Sequence, residues 1–330
     1  MDDTPAPPDD LEYRNGPGTR VTYRARQRRT DHTAWLGLAL HLPAFLLSSA
    51  VVMTAALALD AWLGVPVWLP TMLWAASGMF AFHRPAEGLL ARHVLHLHRP
   101  IPAELTRLAP VWREVTARAG VDGSRYELWV EDSDDLNALA AAGHIVAVTR
   151  RALQDLPTSR LAAVLAHELG HHTSGHSWSG MLGWWYAIPG RLVWRGLTRM
   201  RPRLIRTARG ASITAVGVLM VLTGYLAFTA LKASYGLPLL LLALPYLTAA
   251  VGRRAELRAD AHAARLGFGQ PLARTLHERL TEQSAVPGAA ERPGLAARLL
   301  SHHPDHRTRL HHLQPYLQPP GTPQGGHPSG

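Results

Sequence analysis

Two histidines and a glutamate carry the strongest chemical signal in this chain. They stand in RLAAVLAHELGHH, which begins at Arg160, as His167, Glu168 and His171. Helical residues four apart lie on one face, so both imidazoles can reach a single Zn²⁺ at ~2.0–2.1 Å. Glu168 points close to that face without being needed as a ligand. It can take a proton from a water activated by the metal and return it to a leaving amine. The chemistry implied is metal-assisted hydrolysis of peptide bonds.

A hydrolytic zinc site needs three protein ligands and one open position. The segment Glu256-Leu257-Arg258-Ala259-Asp260 offers the third. Glu256 and Asp260 are again four apart, so Glu256 is expected to ligate the metal. Asp260 is expected to accept a hydrogen bond from the free ring nitrogen of a zinc histidine, which fixes its tautomer.

These side chains must be held by helices. Leu161, Val164, Leu165 and Leu169 give the first segment an apolar back face, and Ala166 and Gly170 leave room beside the histidines. Thr158 or Ser159 is the expected N-cap of a helix that begins near Arg160. Residues 103–120 have helical spacing, with Leu105, Leu108, Val111, Trp112 and Val115 on one face and Gly120 as the stop. Tyr126–Val130 and Ile145–Val148 read as short strands, the second preceded by a loop over Asn137–Gly143.

Four uncharged runs surround this core. Ala34–Leu59 and Ala61–Phe82 are separated by Asp60, near which a turn is expected, and Ala211–Leu231 and Ala233–Val251 by Lys232. Each is near the ~20 residues that cross a hydrocarbon core. The expected fold class is a mainly α membrane protein with a small β-sheet. Its organisation would be a disordered polar tail at 1–33, a transmembrane hairpin at 34–82 and a first catalytic part at 83–210. A second apolar hairpin at 211–251, a second catalytic part at 252–313 and a disordered tail at 314–330 would follow.

The formal charge is +10, carried almost wholly by arginine, since Lys232 is the only lysine. No nucleic-acid motif accompanies it, and the arginines flank the apolar runs, so nucleic acid is not an expected partner. The expected partners are a protein or peptide substrate and a lipid bilayer. The arginines follow or precede every run on one side, which places the catalytic parts in the cytoplasm. The chain has no cysteine, so disulfides and thiolate zinc sites are excluded. An intramembrane protease would need the histidine helix inside an apolar run, where it is not. A His-rich metal-binding or sensor protein that keeps a protease fold is the alternative to an enzyme.

In combination the motifs resemble peptidase family M48, the HtpX-like and CAAX-prenyl-protease-like membrane gluzincins. NALAAAGHIVAVTRRALQDL, AVLAHELGHH, AELRADAHAARLG and HPDHRTRL, the last starting at His303, carry that resemblance. It implies one Zn²⁺ per chain and an endopeptidase of a bacterial inner membrane, acting on membrane or membrane-proximal proteins in quality control. It further implies that Asn137 and Ala138 lie near the strand on which a substrate backbone docks. Arg309, and in second place His303, would sit near the active site and support the oxyanion.

Overall fold

The structure is a computed structural model that describes residues 7–14, 32–133, 138–141, 143–208, 213–233, 237–285, 301 and 303–317. It opens on the apolar helices α1 (His32–Leu40), α2 (Leu42–Leu63) and α3 (Trp68–Ser77). Asp60 lies in the last turn of α2, and the expected turn follows it directly. The turn falls at Gly64, whose φ of 65° accommodates a left-handed cap and whose N–H bonds the Asp60 carbonyl at 2.9 Å. Pro66 follows, so α3 starts late and covers only part of the second uncharged run, which ends in a tight helical turn over Phe80–Phe82.

Next come α4 (Arg84–His93), strand β1 (Leu97–His98) and α5 (Pro102–Ala119), which stops at Gly120 with φ 64°. The expected face of α5 is buried at Leu108, Val111, Trp112 and Val115, while Leu105 is exposed. Strands β2 (Glu127–Glu131), β3 (Ala138–Ala141) and β4 (Ile145–Thr149) join β1 in one sheet of order β1-β2-β4-β3. β2 and β4 run parallel, and β3 returns antiparallel to β4 with Ala138 opposite Val148. Most of the expected loop before β4 is therefore an edge strand. Its alanines have little strand preference of their own, and the ladder to β4 supplies it.

The histidine helix is α7 (Thr158–Ser174), after the short α6 (Arg150–Asp155). Leu161, Leu165 and Leu169 form its back stripe at four-residue spacing, and all three are wholly buried. Burial of each contributes about 1.5–3 kcal/mol. The helix is capped from an unexpected place. Ser159 donates its N–H to Asp10 at 2.8 Å, and Thr158 donates its hydroxyl to Asp9 at 2.6 Å. The Leu11 N–H bonds the Thr158 hydroxyl at 3.2 Å, and the Leu11 side chain joins the core. Residues 7–14, expected within a disordered tail, thus dock as a strap on the start of α7. Free N–H groups at a helix start attract such carboxylates, and the leucine adds an apolar anchor.

After α7 the chain forms α8 (His176–Tyr186), the arginine-rich α9 (Ile188–Ala208) and the apolar α10 (Ile213–Ala233), whose one charged residue is Lys232. α11 (Leu237–Ala263) joins the fourth apolar run and the Glu256–Asp260 segment in one continuous helix. The expected boundary at residues 251–252 falls inside it. A wide turn over Ala264–Phe268, with Gly267 at φ 89°, leads to α12 (Gly269–Ala285). The final α13 (His306–Leu317) extends past residue 313, where the tail was expected to begin.

α7 and α11 pack in close contact. A Cβ on Gly170 would stand 3.0 Å from the Ala259 Cα, tighter than most side-chain contacts, so the neighbouring helix would have to give way. The glycine allows the two ligand-bearing helices to touch backbone to backbone.

Candidate metal centre

Three side chains converge between those helices. The Nε2 atoms of His167 and His171 each lie 3.4 Å from a different oxygen of Glu256. Ligand atoms of all three fit within 4.8 Å of one another. Two ligands held at ~2.1 Å by a tetrahedral ion stand roughly 3.4 Å apart, so the residues present fit such an ion. Two imidazoles and one carboxylate are also the donor set that a hydrolytic zinc site uses.

Asp260, wholly buried, accepts from His167 Nδ1 at 2.8 Å. That bond leaves Nε2 as the ring atom turned toward Glu256. Arg309 from α13 then grips Asp260 with two donors, Nη2 at 2.6 Å and Nε at 2.8 Å. Its Nη1 lies 3.8 Å from Glu256. Arg309 was expected to support an oxyanion; two of its donors are engaged by Asp260, and it also lines the cleft. The geometry makes it a positioning residue, one step behind His167.

The charges are strongly coupled. Burial alone would push the His167 imidazolium down, but hydrogen bonds to Asp260 and Glu256 overcome this and raise its pKa to about 9. Burial would likewise raise both carboxyls, yet the same histidine and their other partners hold Glu256 and Asp260 well below the usual carboxylate range. A cation seated here would take the place of the His167 proton, because histidine ligates only when neutral.

The centre floors a cleft of about 690 Å³. Glu168 lines it beside the two histidines. Ala138, Leu139 and Ala140 of the edge strand form one wall, and Val164, Leu272 and Leu276 give another an apolar lining. His303 also lines the cleft, with Nδ1 3.2 Å from Glu256. Ala138, expected near a substrate strand, lines the cleft, and Asn137 lies outside the described residues. His172, the next residue after the ligand pair, belongs to the core instead. It is buried, donates Nε2–H to the Ile145 carbonyl at 2.8 Å and packs edge-on to Tyr126.

Sequence reasoning missed three contributors. The Asp9–Asp10 strap had no local signal. Arg151 and Arg279 line the cleft but read as ordinary surface charges. Glu87 is buried and accepts from Gly143 N–H and His144 Nδ1, both at 3.1 Å, so α4 fixes the turn between β3 and β4.

Two helical histidines, the adjoining glutamate, a carboxylate from a later helix and an edge strand beside them define a metallopeptidase type of centre. Residues 102–316 match the model of peptidase family M48, and the chain belongs to that family. No curated protein matches it. The matched stretch takes in α7, α11 and α13, the three helices that build the centre.

Proposed function

We propose that this chain is a zinc-dependent endopeptidase of the HtpX-like type, anchored in the inner membrane with its catalytic part in the cytoplasm. The observation that carries it is the meeting of His167, His171 and Glu256 at tetrahedral-edge distances, with Glu168 beside them in an open cleft.

His167, His171 and Glu256 would hold the Zn²⁺. When bound it supplies Lewis acidity that draws the pKa of a water towards ~7. Glu168 serves as general base on the attacking water and then as acid toward the departing amine. Asp260, braced by Arg309, keeps His167 in the tautomer that presents Nε2. A peptide adds to β3 as a further strand, with Ala138 giving backbone contacts and little side-chain obstruction. His303, which lines the cleft beside Glu256, would donate to the carbonyl oxygen under attack.

Membrane anchorage draws on the apolar helices. Among the described residues one helix, α2, is long and apolar enough to cross a membrane. Leu57, Leu73, Met79 and Met220, on or beside α2, α3 and α10, are more than half exposed. Such a surface is what a bilayer covers and water does not. The strap adds a topological argument. Residues 7–14 sit on the start of α7, so the segment that precedes the apolar helices begins beside the catalytic part. Substrates would accordingly be membrane or membrane-proximal proteins, as in quality control.

The test is casein hydrolysis by detergent-solubilised protein with and without a chelator, alongside metal analysis. Activity that survives complete metal removal sinks the proposal. Topology is read by single cysteines in this cysteine-free chain. Ser124→Cys should be shielded from an impermeant reagent in intact cells, and Asp60→Cys should react.

A further inference from the structure

Helix α9 has a composition that the catalytic reading does not use. It carries Arg191, Arg195, Arg199, Arg201, Arg203 and Arg206 and no acidic residue. At 100° per residue, Arg191, Arg195 and Arg199 fall within an arc of about 80°. Val193, Trp194, Leu197 and Met200 fall on the opposite side, in an arc of about 120° that also takes in Arg201. In a helix of a soluble domain that apolar side would be covered by protein. Here it is open: Trp194 is 65% exposed, and Leu197 and Met200 are each 52% exposed. Arg195 and Arg199 are exposed as well.

The start of α9 is fixed beside the proposed membrane helix. Gly190 donates its N–H to the Ser48 hydroxyl at 3.0 Å, within the first two turns of α2. Two turns measure roughly 10 Å along a helix. Interfacial helices bury their apolar face about 5–10 Å into the boundary between headgroups and acyl chains. Arg191, at the same end, folds back over the Trp184 ring at 5.1 Å. Arg195 and Arg199 follow one and two turns further along the helix.

We propose that α9 is an interfacial helix that binds the anionic phospholipid headgroups of the leaflet facing the catalytic part. This inference rests on the membrane anchorage proposed above. The apolar side of α9 enters the acyl boundary and the arginine side meets phosphate oxygens. A second copy of the chain is the less fitting occupant, because α9 supplies no carboxylate to answer the arginines of its twin. Seated in this way, α9 fixes the tilt of the catalytic part against the bilayer, since α8 links it directly to α7.

Full-length protein in nanodiscs tests this. Leu197→Cys carries an environment-sensitive fluorophore, and acrylamide quenching reports its exposure to water. Going from phosphatidylcholine alone to a phosphatidylglycerol-containing bilayer should lower quenching by at least about fivefold, the effect of one arginine at an anionic surface. Arg195→Gln with Arg199→Gln should abolish the drop, and lysine at both positions should restore it. Equal quenching in the two bilayers overturns the proposal. High values would mean a helix in water, and low ones a helix covered by hydrocarbon or by another protein copy. A label on Leu57→Cys reports anchorage separately. If it is open to acrylamide in both bilayers while Leu197→Cys is protected only with phosphatidylglycerol, anchorage fails and the lipid-binding face stands. If Leu57→Cys is protected and Leu197→Cys is insensitive to lipid, the reverse holds.

Discussion

The back of α7 and the flank of α2 are built from the same side chains and are satisfied differently. Leu161, Leu165 and Leu169 are wholly enclosed by α5, the sheet and α11, whereas Leu46, Leu47 and Leu57 on α2 are each more than half exposed. A leucine taken by itself does not reveal which of these two surroundings it will have. What separates them is company. α7 mixes its leucines with small and polar residues, so one face can be enclosed while the other works. α2 is apolar all round and has no working face. A protein core covers a stripe, and a bilayer covers a whole cylinder.

The largest expected effect falls on the working face of α7. Glu168→Gln should keep its metal and lose about 10²–10⁴-fold in turnover, because a carboxamide cannot carry the proton. Metal content and initial rates measured on the same preparation decide it. A variant that retains more than about a tenth of wild-type rate would falsify the general-base assignment.

The comparison itself is sharpened by removing the same side chain from both regions. Leu165→Ala opens a cavity in a packed core and should cost about 2–5 kcal/mol in unfolding free energy. Leu57→Ala removes a side chain that is more than half exposed and should change stability by less than about 0.5 kcal/mol. Denaturation midpoints in one detergent give both numbers. Similar losses at the two sites would show that α2 is covered by protein after all.

A smaller effect is expected behind the histidines. Asp260→Asn should lower zinc affinity about 10–100-fold while the three ligands remain, since the amide no longer holds His167 Nδ1–H as a charged acceptor. Competition with a calibrated chelator measures this. Unchanged affinity would leave Asp260 and Arg309 as a structural pair without influence on the metal.

The centre was far more legible in the sequence than its supports. His167 and His171, and Glu256 and Asp260, are pairs whose meaning lies in a four-residue spacing, which a helix turns into geometry without outside help. The fusion of the fourth apolar run with the Glu256 helix was hidden because a change from apolar to charged residues reads as a boundary. In α11 it marks only where the surroundings change. The alanines of β3 gave no strand signal, since pairing with β4 rather than local preference makes them a strand. Arg309 was placed correctly beside the site, but its two-donor grip on Asp260 depends on how α13 packs. The strap is the extreme case, because Asp10 and Ser159 are separated by 149 positions. A Pro-rich acidic segment carries no sign of the helix end it will cap.

That strap yields the smallest effect and the most particular pH signature. Burial alone would raise the Asp10 pKa, but hydrogen bonds from the Ser159 hydroxyl and N–H outweigh it and hold the carboxyl below its ordinary 3.8. A carboxyl depressed in the folded state stabilises the fold at pH above its unfolded value. The contribution is lost as pH falls through the folded one. Asp10→Ala should therefore cost about 1 kcal/mol at neutral pH, the usual effect of losing a cap. The gap in Tm between this variant and wild type should be full at pH 7 and should close as the pH drops below 3.8. Chelator-treated protein is the right material, so that loss of metal in acid does not enter the comparison. A gap that persists undiminished in acid would mean that Asp10 acts through packing rather than charge. Leu11, whose buried side chain does not titrate, would then be what holds the strap to α7.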